Sequence, residues 1–306
     1  MPVAGSDPWP PWRALAASGE LARRARRAAA ALAACRLCAR ACGADRRARP
    51  AGFCRTAARA KVASFGAHFG EEACLVGRGG SGTIFFAECN LRCRFCQNDE
   101  IALAGRGREV DTAELAAMMC RLQALGCENL NLVTPTHVLA PVLAALDLAA
   151  GQGLALPIVW NCGGYESPAA LELLDGVVDV YMPDFKFGDA TWAAELCGAS
   201  DYPEVAAAAL ADMQRQVGDL ALDERGVARR GLLVRHLVLP GGAAGTAAVA
   251  RRIAATAPRA AVNVMAQYHP AAGGVGHPVI GRRIGALEFE TARAAVARAG
   301  LRVLER

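Results

Sequence analysis

A chain of 306 residues, 54% of them hydrophobic, is long enough to bury a large core, and 34 basic against 29 acidic residues is too even a mixture for a nucleic-acid surface. No apolar run reaches the roughly eighteen residues that a membrane span needs. Twelve cysteines, seven of them in ligand-spaced groups, point to metal binding in a reducing cytoplasm rather than to a disulfide framework.

Residues 1–34 predict a loose start with Pro8, Pro10 and Pro11, followed by a surface helix rich in Arg and Ala. Arg23, Arg24, Arg26 and Arg27 before the Ala/Leu run that ends at Cys35 have the look of an export signal with a lipidation cysteine. The run is short and mostly alanine, however, and Cys35 belongs to a ligand-spaced set, so a cytoplasmic protein is expected.

Residues 35–75 form a cysteine-rich segment. Cys35-x2-Cys38-x3-Cys42-x11-Cys54 has the compactness of a tetrathiolate site for zinc, a single iron or a second iron-sulfur cluster, with a role in folding or electron relay. The alternative puts the first three on one helix face; Gly43, Gly52 and the many arginines favour a metal-organised knuckle.

Residues 76–306 carry six short apolar runs, at 83–87, 129–133, 156–160, 177–182, 232–239 and 262–267, alternating with stretches of helical period. That alternation predicts an α/β fold with a parallel sheet covered by helices, either doubly wound or closed into a barrel. Chemistry in such folds gathers at the carboxyl ends of strands, where Cys89, Thr134, Asn161, Asp184 and His269 fall.

The first of these ends carries Cys89-Asn90-Leu91-Arg92-Cys93-Arg94-Phe95-Cys96-Gln97-Asn98, three thiols within eight residues. An ordinary 4Fe-4S cluster takes four cysteines, so three from one loop leave the fourth iron open to an exogenous ligand. A structural zinc site wants four ligands, commonly as separated pairs. Phe95 is placed to pack beside the cluster, and Asn98 is a candidate hydrogen bonder to it. Arg235 and His236 lie in an otherwise apolar strand, and strand alternation sends them to opposite faces, so at most one looks into a barrel. Cys74, Cys120, Cys127 and Cys197 look isolated, as core or surface thiols.

The segments CRLCARACGADR, GTIFFAECNLRCRFCQN, NLVTPTH, WNCGGYE, YMPDFKF, RHLVLPG and QYHP occur in this order between residues 33 and 300. Together they resemble the radical S-adenosylmethionine (SAM) activases of glycyl radical enzymes, most of all the uncharacterised homologues of pyruvate formate-lyase activating enzyme. The resemblance implies a partial (β/α)6 TIM-like barrel, with Cys89, Cys93 and Cys96 holding a 4Fe-4S cluster whose open iron is chelated by SAM. It further implies reductive cleavage of SAM to methionine and a 5′-deoxyadenosyl radical. A low-potential electron donor such as flavodoxin or ferredoxin, and a glycyl radical protein as partner, go with that activity. Asp184 and Lys186 match the family's Asp-x-Lys around the SAM carboxylate and a monovalent cation, and His269 matches a histidine that contacts SAM.

One departure is Thr134-Pro135-Thr136-His137 where many relatives carry Gly-Gly-Glu for the SAM amino group. Thr134 and Thr136 are candidates for that ammonium, with Thr136 equally suited to cap the next helix. In Asn161-Cys162-Gly163-Gly164 the glycines permit close backbone approach to a ligand, with Asn161 and Gly163 beside SAM. Two other functions fit the sequence: a radical SAM enzyme acting on a small molecule, peptide or RNA, and a noncatalytic iron-sulfur or zinc protein for electron transfer or regulation.

Overall fold

The computed structural model describes residues 9–304, so the first eight residues of the expected N-terminal extension lie outside the described residues. Ten strands form the sheet: β1 (Ala60–His68), β2 (Ser81–Phe86), β3 (Arg108–Val110), β4 (Leu130–Val133), β5 (Ile158–Cys162), β6 (Val180–Pro183), β7 (Ala221–Leu222), β8 (Ala228–Leu237), β9 (Ala261–Met265) and β10 (Arg302–Val303). Their order is β10-β9-β8-β6-β5-β4-β2-β1-β3, with β7 beside β8.

The six strands expected from the apolar runs are β2, β4, β5, β6, β8 and β9, and each pairs in parallel with its neighbour. Helices Thr112–Ala124, Leu139–Gly151, Pro168–Leu174, Tyr202–Val217 and Thr246–Thr256 lie in the crossovers between them. Covered on both faces, such strands need apolar side chains in almost every position, which is why they stand out in the sequence. The result is the expected α/β architecture, an open partial barrel. Helix starts are sealed locally: Asp111 and Glu114 form a reciprocal capping box, and Ser167 caps a helix that begins with Pro168.

Register fixes which side chains enter the barrel. Phe85, Val133, Asn161 and Met182 are successive partners, and Asp184, Arg235 and Asn263 continue the row across β6, β8 and β9. Paired residues share a face, so this row is one band on the inner surface, apolar at Phe85, Val133 and Met182 and polar at Asn161, Asp184, Arg235 and Asn263.

Residues 60–75, grouped by sequence with the cysteine-rich segment, do something else. Residues 60–68 are β1, antiparallel to β2 in the same sheet. The chain then turns through 69–72 into a short helix, Ala73–Val76, whose Leu75 enters the barrel floor among Val159, Val180, Met182, Leu233 and Ala261. Asn129 Nδ2 donates to Leu75 O at 2.7 Å and fixes this plug.

At the N-terminus, the expected surface helix is present as Trp12–Ala17 and Glu20–Ala31. Trp12 is fully buried and its indole N–H donates to Leu156 O at 3.1 Å. No helix among the described residues is long and apolar enough to cross a membrane.

Candidate functional site

The loop after β2 is held in a bent path by its own charges. Glu88 and Arg92 both adopt positive φ, 68° and 50°, and join through a 2.9 Å ion pair. The N–H of Leu91 donates to Cys89 Sγ at 3.4 Å, and the backbone of Asn98 lies close enough to Cys96 to favour its thiolate. Burial pushes the Cys89 thiol up and Cys96 to about 12, and Cys93 raises both further, so the three sulfurs lie close enough to feel one another. Lys186 opposes the rise in all three.

Beside the loop, Phe95 is buried, edge-on to Phe187 at 5.9 Å and tilted against Tyr268 at 6.2 Å. Among the described residues no three His, Cys, Asp or Glu side chains close on a single ion-sized point. A cluster presents its irons at separate corners and takes thiols that stand further apart. Three thiols on one loop, an N–H donor on sulfur, a facing ammonium and an apolar wall fit an iron-sulfur cluster.

From the loop a cavity of about 1360 Å³ runs down the barrel past Cys93, Cys96, Asn161, Asp184, Lys186 and Arg235, with Glu71 and Glu72 also in its lining. The inner band forms a ladder of alternating charge. Lys186 Nζ donates to Asp184 Oδ2 at 2.5 Å, Arg235 Nε to Asp184 Oδ1 at 2.9 Å, and Arg235 Nη2 to Asn161 Oδ1 at 2.8 Å. Burial raises the Asp184 carboxyl, but Arg235 and Lys186 outweigh it and hold the group below its ordinary value. At the far end Arg235 Nη1 stands 3.6 Å from Glu71 Oε2, and Asn263 Nδ2 donates to Glu72 Oε1 at 2.9 Å.

Of the residues singled out in the sequence, the structure brings Cys89, Cys93, Cys96, Asn98, Asn161, Asp184 and Lys186 to this loop and cavity. Thr134 is half-buried at the end of β4, and Thr136 is buried with its hydroxyl on Glu166 rather than capping the helix that follows. His269 is exposed, its Nδ1 2.7 Å from Gln97 Nε2 on the cysteine loop. Gly163 serves the loop directly: a Cβ there would lie 2.6 Å from Leu91 Cδ1, so glycine lets the loop close on β5. Arg235 and His236 part as alternation requires, Arg235 into the cavity and His236 outward between Phe185 O and Thr246 Oγ1.

The second cysteine set is not on a helix. Cys35 pairs with Ala44 through reciprocal backbone bonds, Cys35 N to Ala44 O and Gly43 N to Cys35 O, each 2.9 Å. Cys35, Cys38 and Cys54 are buried and Cys42 is exposed. Burial pushes the Cys38 thiol to about 12, with Cys54 and Cys35 adding to the rise, which sets both near it. Arg46 bridges the knuckle to the barrel, donating to Cys35 Sγ at 3.3 Å and to His137 O at 2.6 Å.

Two site features escaped the sequence. Cys197, which looked isolated, has its thiol on Ala193 O at 3.1 Å and lies close enough to Cys93 to raise that thiol; no spacing rule links residues so far apart. Arg40 of the knuckle donates to Asn90 O at 2.8 Å and Leu91 O at 3.2 Å on the cysteine loop, and to Cys197 O at 2.6 Å.

No family model matches the chain. Over 251 residues it is 32% identical to the uncharacterized protein MJ0674 of Methanocaldococcus jannaschii, an alignment spanning 79% of this chain and 68% of that protein. Among solved structures it is similar to a radical SAM methyltransferase from Sphaerobacter thermophilus, with TM-score 0.48, 15% identity, and 73% of this chain and 65% of that one covered. Similar too is Streptococcus suis SuiB, with TM-score 0.46, 12% identity and coverage of 72% and 47%. The chain spans less than two thirds of the length of either structure.

Proposed function

The chain belongs to the family of the uncharacterized protein MJ0674, and from that premise and its cysteine loop we propose that it is a radical SAM enzyme. The observation that carries the reading is the set of three thiols, Cys89, Cys93 and Cys96, on one bent loop at the head of a large cavity that Asp184, Lys186 and Arg235 help to line. Cys89, Cys93 and Cys96 would hold a 4Fe-4S cluster, which once reduced would supply the electron for cleaving SAM to methionine and a 5′-deoxyadenosyl radical able to abstract a hydrogen atom from a substrate.

The chain's own part is positioning and exclusion. Backbone groups beside Cys89 and Cys96 favour their thiolates. Lys186, locked by Asp184, offers a fixed ammonium for a carboxylate beside the thiols, and Phe95 with Phe187 and Tyr268 keeps water from that side. A metal at Cys35, Cys38, Cys42 and Cys54 belongs to the proposal, supported by their spacing and by the burial of Cys35, Cys38 and Cys54 in one knuckle.

Abstraction from a glycine of a partner protein, with a flavodoxin or ferredoxin as donor, rests on the motif resemblance alone. A second reading, abstraction from a small molecule, is favoured by the cavity. At about 1360 Å³ it exceeds the roughly 300–1,000 Å³ of a site for one small ligand, and its depths are charged.

Anaerobic reconstitution with iron and sulfide, then dithionite and SAM, tests the reading by 5′-deoxyadenosine formation. Wild type forms it, Cys93→Ala does not, and Cys197→Ala retains it because Cys197 is no ligand. Zinc alone at the triad, or a full cluster without SAM cleavage, refutes the proposal.

A further inference from the structure

We infer that Glu71 and Glu72, in the lining of the same cavity, form a subsite for the positively charged amino or guanidino group of a small-molecule substrate. This rests on the radical SAM reading and names the substrate class of that site.

The acids are brought there by the plug. The turn after β1 carries them from one edge of the open barrel into its interior, where they meet Arg235 of β8 and Asn263 of β9. Adjacent carboxylates that are largely buried repel each other and are costly to desolvate unless a cation compensates. Those present do not suffice. Three carboxylates, Glu71, Glu72 and Asp184, face two cations, Lys186 and Arg235, and both cations bond directly to Asp184. Arg225 also lines the cavity, but its guanidinium is taken by Glu128 and Asp223. His68 lies edge-on against Phe85.

An unmet acceptor points the same way. The Glu71 side chain is 9% exposed, with Arg235 at 3.6 Å as its ion-pair contact among the described residues. Glu72 Oε2 is buried and has no hydrogen-bond partner among the described residues. Asn161, 1% exposed and lining the same cavity, has an unpartnered Nδ2, a donor that suits an acceptor atom elsewhere on the ligand and not its cationic group. Buried polar groups are almost always satisfied, so an orphaned carboxylate oxygen in an incompletely compensated acid pair marks a place for a hydrogen-bond donor of a ligand. Burial pushes Glu71 to about 7, with Arg235 opposing and Glu72 adding to the rise, so the free protein meets part of the deficit by holding a proton. A bound organic cation replaces that proton with a charge-assisted contact.

The charge ladder separates this subsite from the place for SAM. Lys186 faces the thiols, whereas the glutamates lie beyond Asp184 and Arg235. A cavity of about 1360 Å³ has room for both molecules.

Calorimetric titration of the cluster-reconstituted protein, saturated with SAM, tests the inference with 1,4-diaminobutane and agmatine as cationic probes and 1,4-butanediol as the neutral isostere. At least one cation binds wild type and the diol does not. Glu71→Gln and Glu72→Gln, made singly so that each leaves one acid in place, weaken that binding roughly tenfold or more. If neither cation binds, or if both variants bind as wild type does, the inference fails. It fails too if the cation competes with SAM, since the acids then serve SAM's own ammonium. Wild-type 5′-deoxyadenosine formation keeps the two readings apart: SAM cleavage without cation binding sinks the subsite alone, and no SAM cleavage sinks the radical chemistry.

Discussion

Arg40 shows how one side chain ties a site together. Its guanidinium donates to carbonyls of the cysteine loop and of the turn after Cys197, and it lies 3.8 Å from the Phe53 ring centroid. A planar fork with several donors makes this arrangement, and a lysine ammonium does not. Arg40→Lys is therefore expected to fold yet retain less iron and sulfide after reconstitution, read from metal analysis and cluster absorbance. Nothing in the sequence distinguishes Arg40 from Arg36, Arg46 or Arg47 around it, whereas the thiol triad was legible because its spacing is chemically unusual. Asp179 gives a pH signature. Burial lifts its carboxyl to about 7, against the bonds from Ile158 N and the charge of Arg230 that lower it. A carboxyl raised on folding adds stability that is complete below its unfolded value near 4 and is lost as pH rises through about 7. Asp179→Asn should flatten this decline in urea midpoints measured from pH 4.5 to 8, and an unchanged slope would contradict the assignment.

The segment that threads β1 and the plug is the element on which the cavity depends. Leu75 is fully buried in the barrel floor, so Leu75→Ala should cost about 2–5 kcal/mol in chemical unfolding. An effect below about 0.5 kcal/mol would mean the floor is not packed as described. The six parallel strands were readable because burial on both faces leaves almost no choice of residue. β1 was not, since only its first residues are buried and Lys61, Ser64 and His68 interrupt its apolar pattern. β3, β7 and β10, two or three residues long, fall below what any periodicity registers.

At the scale of the whole molecule, knuckle and barrel are linked through Arg40, Arg46 and the backbone bridge between Cys38 and Glu166. If Cys35, Cys38, Cys42 and Cys54 hold a metal, Cys54→Ser should lower the thermal midpoint and reduce both the metal bound there and the cluster content of the barrel. Metal analysis showing loss at one site with the other intact would separate the two units. Fold class was legible from the strand and helix alternation, but the site was only half legible. Its thiols sit in one short motif, while its acids, Arg235 and Asn263 come from stretches far apart in the chain. That distance has a consequence for assembly. Glu72 and Asn263 are 191 residues apart, so the chamber has no second wall until β9 has docked. Contacts of such long range form late, and a nascent chain ending anywhere before residue 261 leaves its cysteine triad open to oxygen and stray metals.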